Sequence, residues 1–231
     1  MSIAENVARI RREMEEAAVA AGRDPKSVLL LAATKMNDAD AVREAIRCGV
    51  DCCGENRVQE LTKKLAENAY EGAPVHFIGH LQTNKVRQVV GKVDLIQSVD
   101  SLRLLEAIDK EAARQGIVQS ILLEVNVGEE ESKSGFRLEE VLPLLEKTGK
   151  YSNICIKGLM AIPPISENPG DNLIFFQKIY QLSVDIKGKK YDNVMVDCMS
   201  MGMSDDYRDA IASGSTMIRV GTAIFGPRNY Q

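Results

Sequence analysis

Two stretches of this 231-residue chain carry residue types that could act together. Near the N-terminus an apolar run, "LLLAAT", delivers the chain to Lys35. Near the C-terminus, "SMGMS" (200–204) and "GSTMIRVGT" (214–222) hold Ser200, Met201, Arg219, Gly221 and Thr222. A lysine held in a desolvated, partly cationic site has its pKa lowered, because the charged form is disfavoured. The neutral amine is then a nucleophile for carbonyls and forms Schiff bases. Glycines, hydroxyls and backbone N–H groups near helix starts are the material of a phosphate cradle. Amine, guanidinium and cradle together suit a phosphorylated aldehyde. Each also has a plainer explanation: Lys35 as the first solvated residue after a strand, the Gly-Ser cluster as a turn, and Arg219 as the partner of Glu124 or Asp197.

The elements that must position these groups recur along the chain. Residues 1–22 read as a helix, with Ile3, Val7, Ile10, Met14, Ala17 and Ala21 at spacings of three and four and Gly22 as a stop. Short apolar runs follow at 27–34, 50–54, 75–79, 93–99, 119–127, 154–160, 193–200 and 216–221. They do not alternate cleanly, which is how parallel strands covered on both faces read. Stretches such as "DADAVREAIRCG", "LRLLEAIDKEAARQG" and "NLIFFQKIYQLSVDI" lie between them with helical spacing. Alternating β and α runs predict a parallel α/β fold. Eight strands allow a closed barrel or an open doubly wound sheet. The count, and the lack of a Gly-rich dinucleotide loop after the first strand, favour a (β/α)8 TIM barrel with an extra N-terminal helix. No linker or composition shift divides residues 1–231, so one barrel domain is expected.

Barrel sites form at the C-terminal ends of the strands. There the sequence places Lys35, "GENR" (54–57) with Asn56, "GHLQTNK" (79–85) with His80, Ser98, Asn126, Met160, Ser200 and "RVGT" (219–222). Strand residues alternate between faces. Leu29, Leu31, Ala33 and Lys35 therefore share one face, and Met217, Arg219 and Gly221 share another. If the wholly apolar partners Ile218 and Val220 face the helices, Arg219 points inward and must find partners there. An interior lysine and arginine beside a phosphate cradle make pyridoxal 5'-phosphate the leading candidate ligand.

Composition excludes other classes. A net charge of −4 argues against a general nucleic-acid binder. No apolar run approaches the roughly 20 residues that span a bilayer, and the N-terminal 22 residues lack the apolar core of a secretory signal. Five cysteines without a CxxC read as reduced thiols in a cytoplasmic protein. Cys52 and Cys53 are adjacent on a strand and point to opposite faces, and only two histidines are present, so no metal site is expected.

The sequence resembles the pyridoxal phosphate homeostasis protein family, which is similar to the barrel domain of fold-type III alanine racemase without its second domain. "AATK" (32–35), "GENRVQE" (54–60), "HFIGHLQTNK" (76–85), "KSGF" (133–136), "GLMAIPP" (158–164), "SMGMSDD" (200–206) and "GSTMIRVGTAIFG" (214–226) carry the resemblance. It implies that Lys35 holds the cofactor as a Schiff base. Ser200, Gly221 and Thr222 match phosphate-binding positions, with the Met201 backbone beside them. Arg219 matches the position facing the pyridine nitrogen, and Asn56 and His80 match positions lining the site. Cys53 and Met199 depart from the usual aromatic and leucine, both by apolar exchange. The implied role is binding and homeostasis of pyridoxal phosphate (vitamin B6) by a monomer without established turnover, with transient contact to apo-enzymes that use the cofactor. A weak racemase-like enzyme and a Schiff-base aldolase-like barrel are the alternatives. A racemase needs a second acid–base group opposite the lysine, and Tyr207 is the candidate that the sequence offers.

Overall fold

The computed structural model describes residues 1–130, 133–166 and 168–226. Its centre is a closed barrel of eight parallel strands: β1 (Leu29–Ala33), β2 (Cys52–Glu55), β3 (Val75–Phe77), β4 (Leu95–Val99), β5 (Gln119–Val125), β6 (Ile154–Ala161), β7 (Val194–Ser200) and β8 (Met217–Val220). Each strand pairs with the next. The barrel closes where β8 meets β1, with Leu31 opposite Arg219 and Ala32 opposite Val220. The expected TIM barrel is thus the observed fold.

Around it stand α1 (Ile3–Ala20), α2 (Ala39–Arg47), α3 (Val58–Ala66), α4 (Leu102–Gln115), α5 (Leu138–Leu145), α6 (Leu173–Lys187), α7 (Tyr207–Ala212) and α8 (Thr222–Phe225). After β3 a 3-10 turn at Thr83–Gln88 takes the place of a crossover helix. Among the described residues no helix is long and apolar enough to cross a membrane.

Strand alternation divides the core in two. Leu31, Ala33, Cys52, Ile78 and Met217 fill the barrel interior beside Leu95, Leu122 and Met160. Leu30, Ala32, Ile218 and Val220 face outward to the helices. Cys52 lies inside and Cys53 outside, packed with Leu61 and Val75. Burial pushes both thiol pKa values up, so they pack as small apolar groups.

The N-terminal helix covers the seam between the first and last strands. Ser2 and Glu5 form a capping box at its start, an arrangement worth about 1 kcal/mol. Val7, Ile10, Met14 and Ala18 are buried against Ile211, Ile218 and Ile224. Asn6 Nδ2 donates to Ile224 O at 2.9 Å, and Arg9 donates to Ala223 O at 3.3 Å. Leu29, at the start of β1, is exposed at the N-terminal mouth.

Candidate functional site

At the C-terminal mouth lies a cavity of about 480 Å³, lined among others by Lys35, Asn56, Arg219, Gly221 and Thr222. Its size suits a small organic ligand. Lys35 reaches it by parity, two residues beyond the inward Ala33. The backbone on both sides of that lysine is pinned. Thr34 N donates to Gly54 O at 2.9 Å, and Asn37 N donates back to Thr34 O at 3.2 Å. Met36 takes the left-handed conformation, φ 63°, a strained setting for a residue with a side chain. Its N–H is held by Glu60 Oε2 at 2.6 Å.

Behind this turn sits a buried charged cluster. Lys64 Nζ donates to Thr34 O at 2.7 Å and to Glu55 Oε1 at 2.6 Å. Glu55 Oε1 also accepts from Thr34 Oγ1 at 2.6 Å and from the Tyr70 hydroxyl at 3.2 Å. Burial, with Glu55 beside it, pushes the Tyr70 pKa far up, so the phenol stays a donor. Lys35 therefore stands on backbone that is fixed from the helix side by an ion pair.

The floor is Arg219, only 5% exposed. One guanidinium nitrogen donates to Ser200 O at 2.6 Å and Ser200 Oγ at 2.7 Å, and the other donates to Ala161 O at 2.9 Å. These neutral oxygens are its hydrogen-bond partners, rather than the carboxylates of Glu124 or Asp197. Burial lowers its pKa to about 10, with Asp206 and Glu124 opposing at longer range. It remains charged at neutral pH. Glu124 shows the reverse: burial, with Asp100 adding repulsion, raises its pKa to about 7 against the pull of Arg219 and His80.

Gly221 and Thr222 open the short α8 beside the cavity. N–H groups at the start of a helix have no acceptor within it. The cavity is also lined by Asn56, whose Oδ1 is buried without a hydrogen-bond partner among the described residues. Such an orphaned acceptor calls for an explanation, and a ligand in the cavity would supply a donor. A Cβ at Gly79 would clash with Asn56 O, so the segment after β3 must carry glycine there for the β2 end to hold its place.

Three expected residues lie elsewhere. Ser200 is fully buried below the floor, its hydroxyl donating to Gln97 Oε1 at 2.6 Å. The Met201 N–H is taken by Met217 O at 3.1 Å. His80 is exposed, its Nδ1 3.1 Å from Asp100 Oδ2. Tyr207 also turns away, its hydroxyl donating to Glu13 on α1.

Sequence reading did not single out Met203 and Ser204 as cavity residues, nor Ile78 and Ile162 as apolar walls. Ser204 Oγ accepts from Ala223 N at 3.4 Å, tying the "SMGMS" loop to α8. The available signal was Gly202. Its φ of 97° ends the strand and carries the second serine of the motif over the cavity. Amine, guanidinium, hydroxyls and helix-start N–H groups surround one space with apolar walls. This donor set can hold an anion at one end and meet a carbonyl at the other.

The sequence pattern of the family described as "Alanine racemase, N-terminal domain" matches residues 2–229. A pyridoxal phosphate homeostasis protein of Aquifex aeolicus is 42% identical over the full length of both chains. Among solved structures, an unknown protein from Bifidobacterium adolescentis is similar at TM-score 0.91 and 38% identity, over 96% of this chain and 94% of that one. PipY of Synechococcus elongatus PCC7942 with PLP bound gives TM-score 0.83 and 32% identity, over 97% of this chain and all of the other.

Proposed function

Because the chain belongs to the pyridoxal phosphate homeostasis protein family, whose barrel is that of the alanine racemase N-terminal domain, we propose that it binds pyridoxal 5'-phosphate in the 480 Å³ cavity and serves the intracellular homeostasis of that cofactor. The observation that carries this reading is the cavity itself. It sets Lys35, Arg219, Thr222 and Asn56, whose Oδ1 has no partner among the described residues, around one space.

The residues present fit the cofactor. Lys35 is the amine that would hold it as a Schiff base. Gly221, Thr222 and Ser204 supply donors for the phosphate, and Arg219 a fixed donor for the ring nitrogen. Ile78 and Ile162 offer apolar surface. Ser200 acts one step removed, by holding the Arg219 guanidinium. Bound pyridoxal phosphate supplies an aldehyde that amines capture and a ring that can take up electrons.

The protein's own groups favour holding over turnover. Arg219 would oppose protonation of a ring nitrogen held near it, which would weaken the ring as an electron sink. Tyr207 donates to Glu13 and His80 pairs with Asp100, and neither is among the residues that line the cavity with Lys35. The proposed setting is a cytoplasmic monomer that passes the cofactor to apo-enzymes through transient contact.

Absorbance of the purified protein with added pyridoxal phosphate tests binding. A visible band, and a borohydride-fixed adduct on the Lys35 peptide, are expected. A colourless protein with no adduct on that peptide would overturn the assignment. α-Hydrogen exchange of amino acids in deuterated water, lost in Lys35→Ala, would replace the carrier role with a weak racemase-like one.

A further inference from the structure

Below the cavity floor four side chains form one hydrogen-bonded chain through the barrel. Arg219 Nη1 donates to Ser200 Oγ at 2.7 Å, and Ser200 Oγ donates to Gln97 Oε1 at 2.6 Å. Gln97 Nε2 lies 2.8 Å from His76 Nδ1. Arg219 and His76, at the two ends, are 5% and 6% exposed, and the two links between them are fully buried. The upper end lines the 480 Å³ cavity. The lower end lines a separate pocket of about 400 Å³ at the N-terminal mouth, together with Leu29, Asp94 and Thr216.

Donor chemistry sets the direction of the chain. A guanidinium only donates. Ser200 Oγ must accept from it, which leaves the serine proton for Gln97 Oε1. The Gln97 amide nitrogen then faces His76, and its second contact, Met217 Sδ at 3.2 Å, is likewise an acceptor. His76 Nδ1 must therefore accept, so the imidazole proton sits on Nε2. One donor-only group at the top fixes the tautomer of a histidine at the bottom.

We propose that Gln97 and His76 are positioning residues of the cofactor site, joining the lower mouth of the barrel to the Arg219 guanidinium through Ser200. This inference rests on the reading that the upper cavity holds pyridoxal phosphate. Removing the Gln97 acceptor frees the Ser200 hydroxyl to turn, and the guanidinium loses its fixed aim. Conversely, a cofactor engaging Arg219 changes the polarisation of every bond below it, and His76 registers the event from the far mouth.

His76 and His80 are the only histidines of the chain, so nitrogen-15 NMR of the imidazoles is readily assigned. The buried ring of the free protein is expected as the Nε2–H tautomer, and its Nδ1 resonance is expected to move when pyridoxal phosphate is added. In Gln97→Met that response is expected to vanish and the cofactor to bind about tenfold more weakly, the loss of one hydrogen bond's worth of positioning. Gln97→Glu retains the acceptor for Ser200 and should restore most of the affinity. Should Gln97→Met fail to fold, Ser200→Ala breaks the same chain and is judged by the same two readouts. An Nδ1–H tautomer in the free protein would overturn the inference. So would a broken-chain variant with wild-type affinity and a wild-type His76 response. A wild-type protein that takes no cofactor would instead sink the functional reading, and the tautomer would still decide whether the chain exists as described.

Discussion

Lys64→Met removes one half of the ion pair behind Lys35. In the wild type, Lys64 and Glu55 are 5% and 0% exposed at the side chain and 2.6 Å apart. Glu55 Oε2 already lacks a partner among the described residues. Without the ammonium, the carboxylate charge would keep only the Thr34 hydroxyl and the Tyr70 phenol, and Thr34 O would lose the donor at 2.7 Å. Breaking a buried pair from one side costs about 3–5 kcal/mol, mostly from the charge left behind. For a chain of this length that lowers Tm by roughly 6–20 °C. Replacing both partners removes the stranded charge. Lys64→Met/Glu55→Leu is therefore expected to recover most of the loss, with a coupling of at least ~2 kcal/mol. Urea unfolding of wild type, both single variants and the double variant closes the cycle. If Lys64→Met costs under ~1 kcal/mol, or the two changes simply add, the cluster is not a coupled buried ion pair and does not clamp the turn.

Arg219→Gln should weaken pyridoxal phosphate retention roughly ten- to hundredfold through loss of a charged donor; unchanged retention in a dialysis assay would show that the guanidinium does not meet the ligand. Burial lowers the His76 pKa from 6.5 to about 4, with Asp94 opposing. The neutral form is favoured in the fold, so stability from this group is complete above pH 6.5 and is lost as pH falls towards 4, on the order of 3 kcal/mol in all. His76→Gln should flatten that acid limb of the urea midpoint, and an unchanged limb would refute the shift. Glu124 has the opposite sign. Its pKa is raised from 4.5 to about 7, so its contribution is full below pH 4.5 and lost as pH rises through 7. Glu124→Gln should remove that dependence between pH 5 and 8. Gly79→Ala forces a Cβ onto Asn56 O and should cost about 1–3 kcal/mol, with weaker cofactor binding in the same variant. Wild-type stability there would show that the β2 end gives way freely.

Most of the barrel was legible because strands covered on both faces must be mostly apolar: the run at 29–33 is wholly so, and that at 154–161 is broken only by Lys157. Parity along β1 and β8 turned Lys35 and Arg219 inward, because nothing interrupts the alternation between Ala33 and Lys35 or between Met217 and Gly221. Where the backbone leaves extended geometry, parity stops informing. Gly202 does this after β7, which is why Ser204 rather than Ser200 lines the cavity. The 3-10 turn after β3 follows a segment with no helical period of its own. Gln97 was hidden for a different reason. A polar residue within "LIQSV" looks like an edge position until three other strands bring Ser200, His76 and Met217 to meet it. Tyr207 follows the same logic, since its partner Glu13 belongs to α1 and no local pattern joins them.

The seam between β1 and β8 also sets a clock. Leu31 pairs with Arg219, so the two sides of the cavity are made far apart in time during protein synthesis. At ribosomal speed that interval is roughly 10–40 s. Throughout it, β1 has no closing neighbour and α1 lacks the strand and helices it covers. A half-made chain thus carries Lys35 but no Arg219 floor and no α8, so the cavity proposed to hold the cofactor is complete only once β8 has been translated and docked.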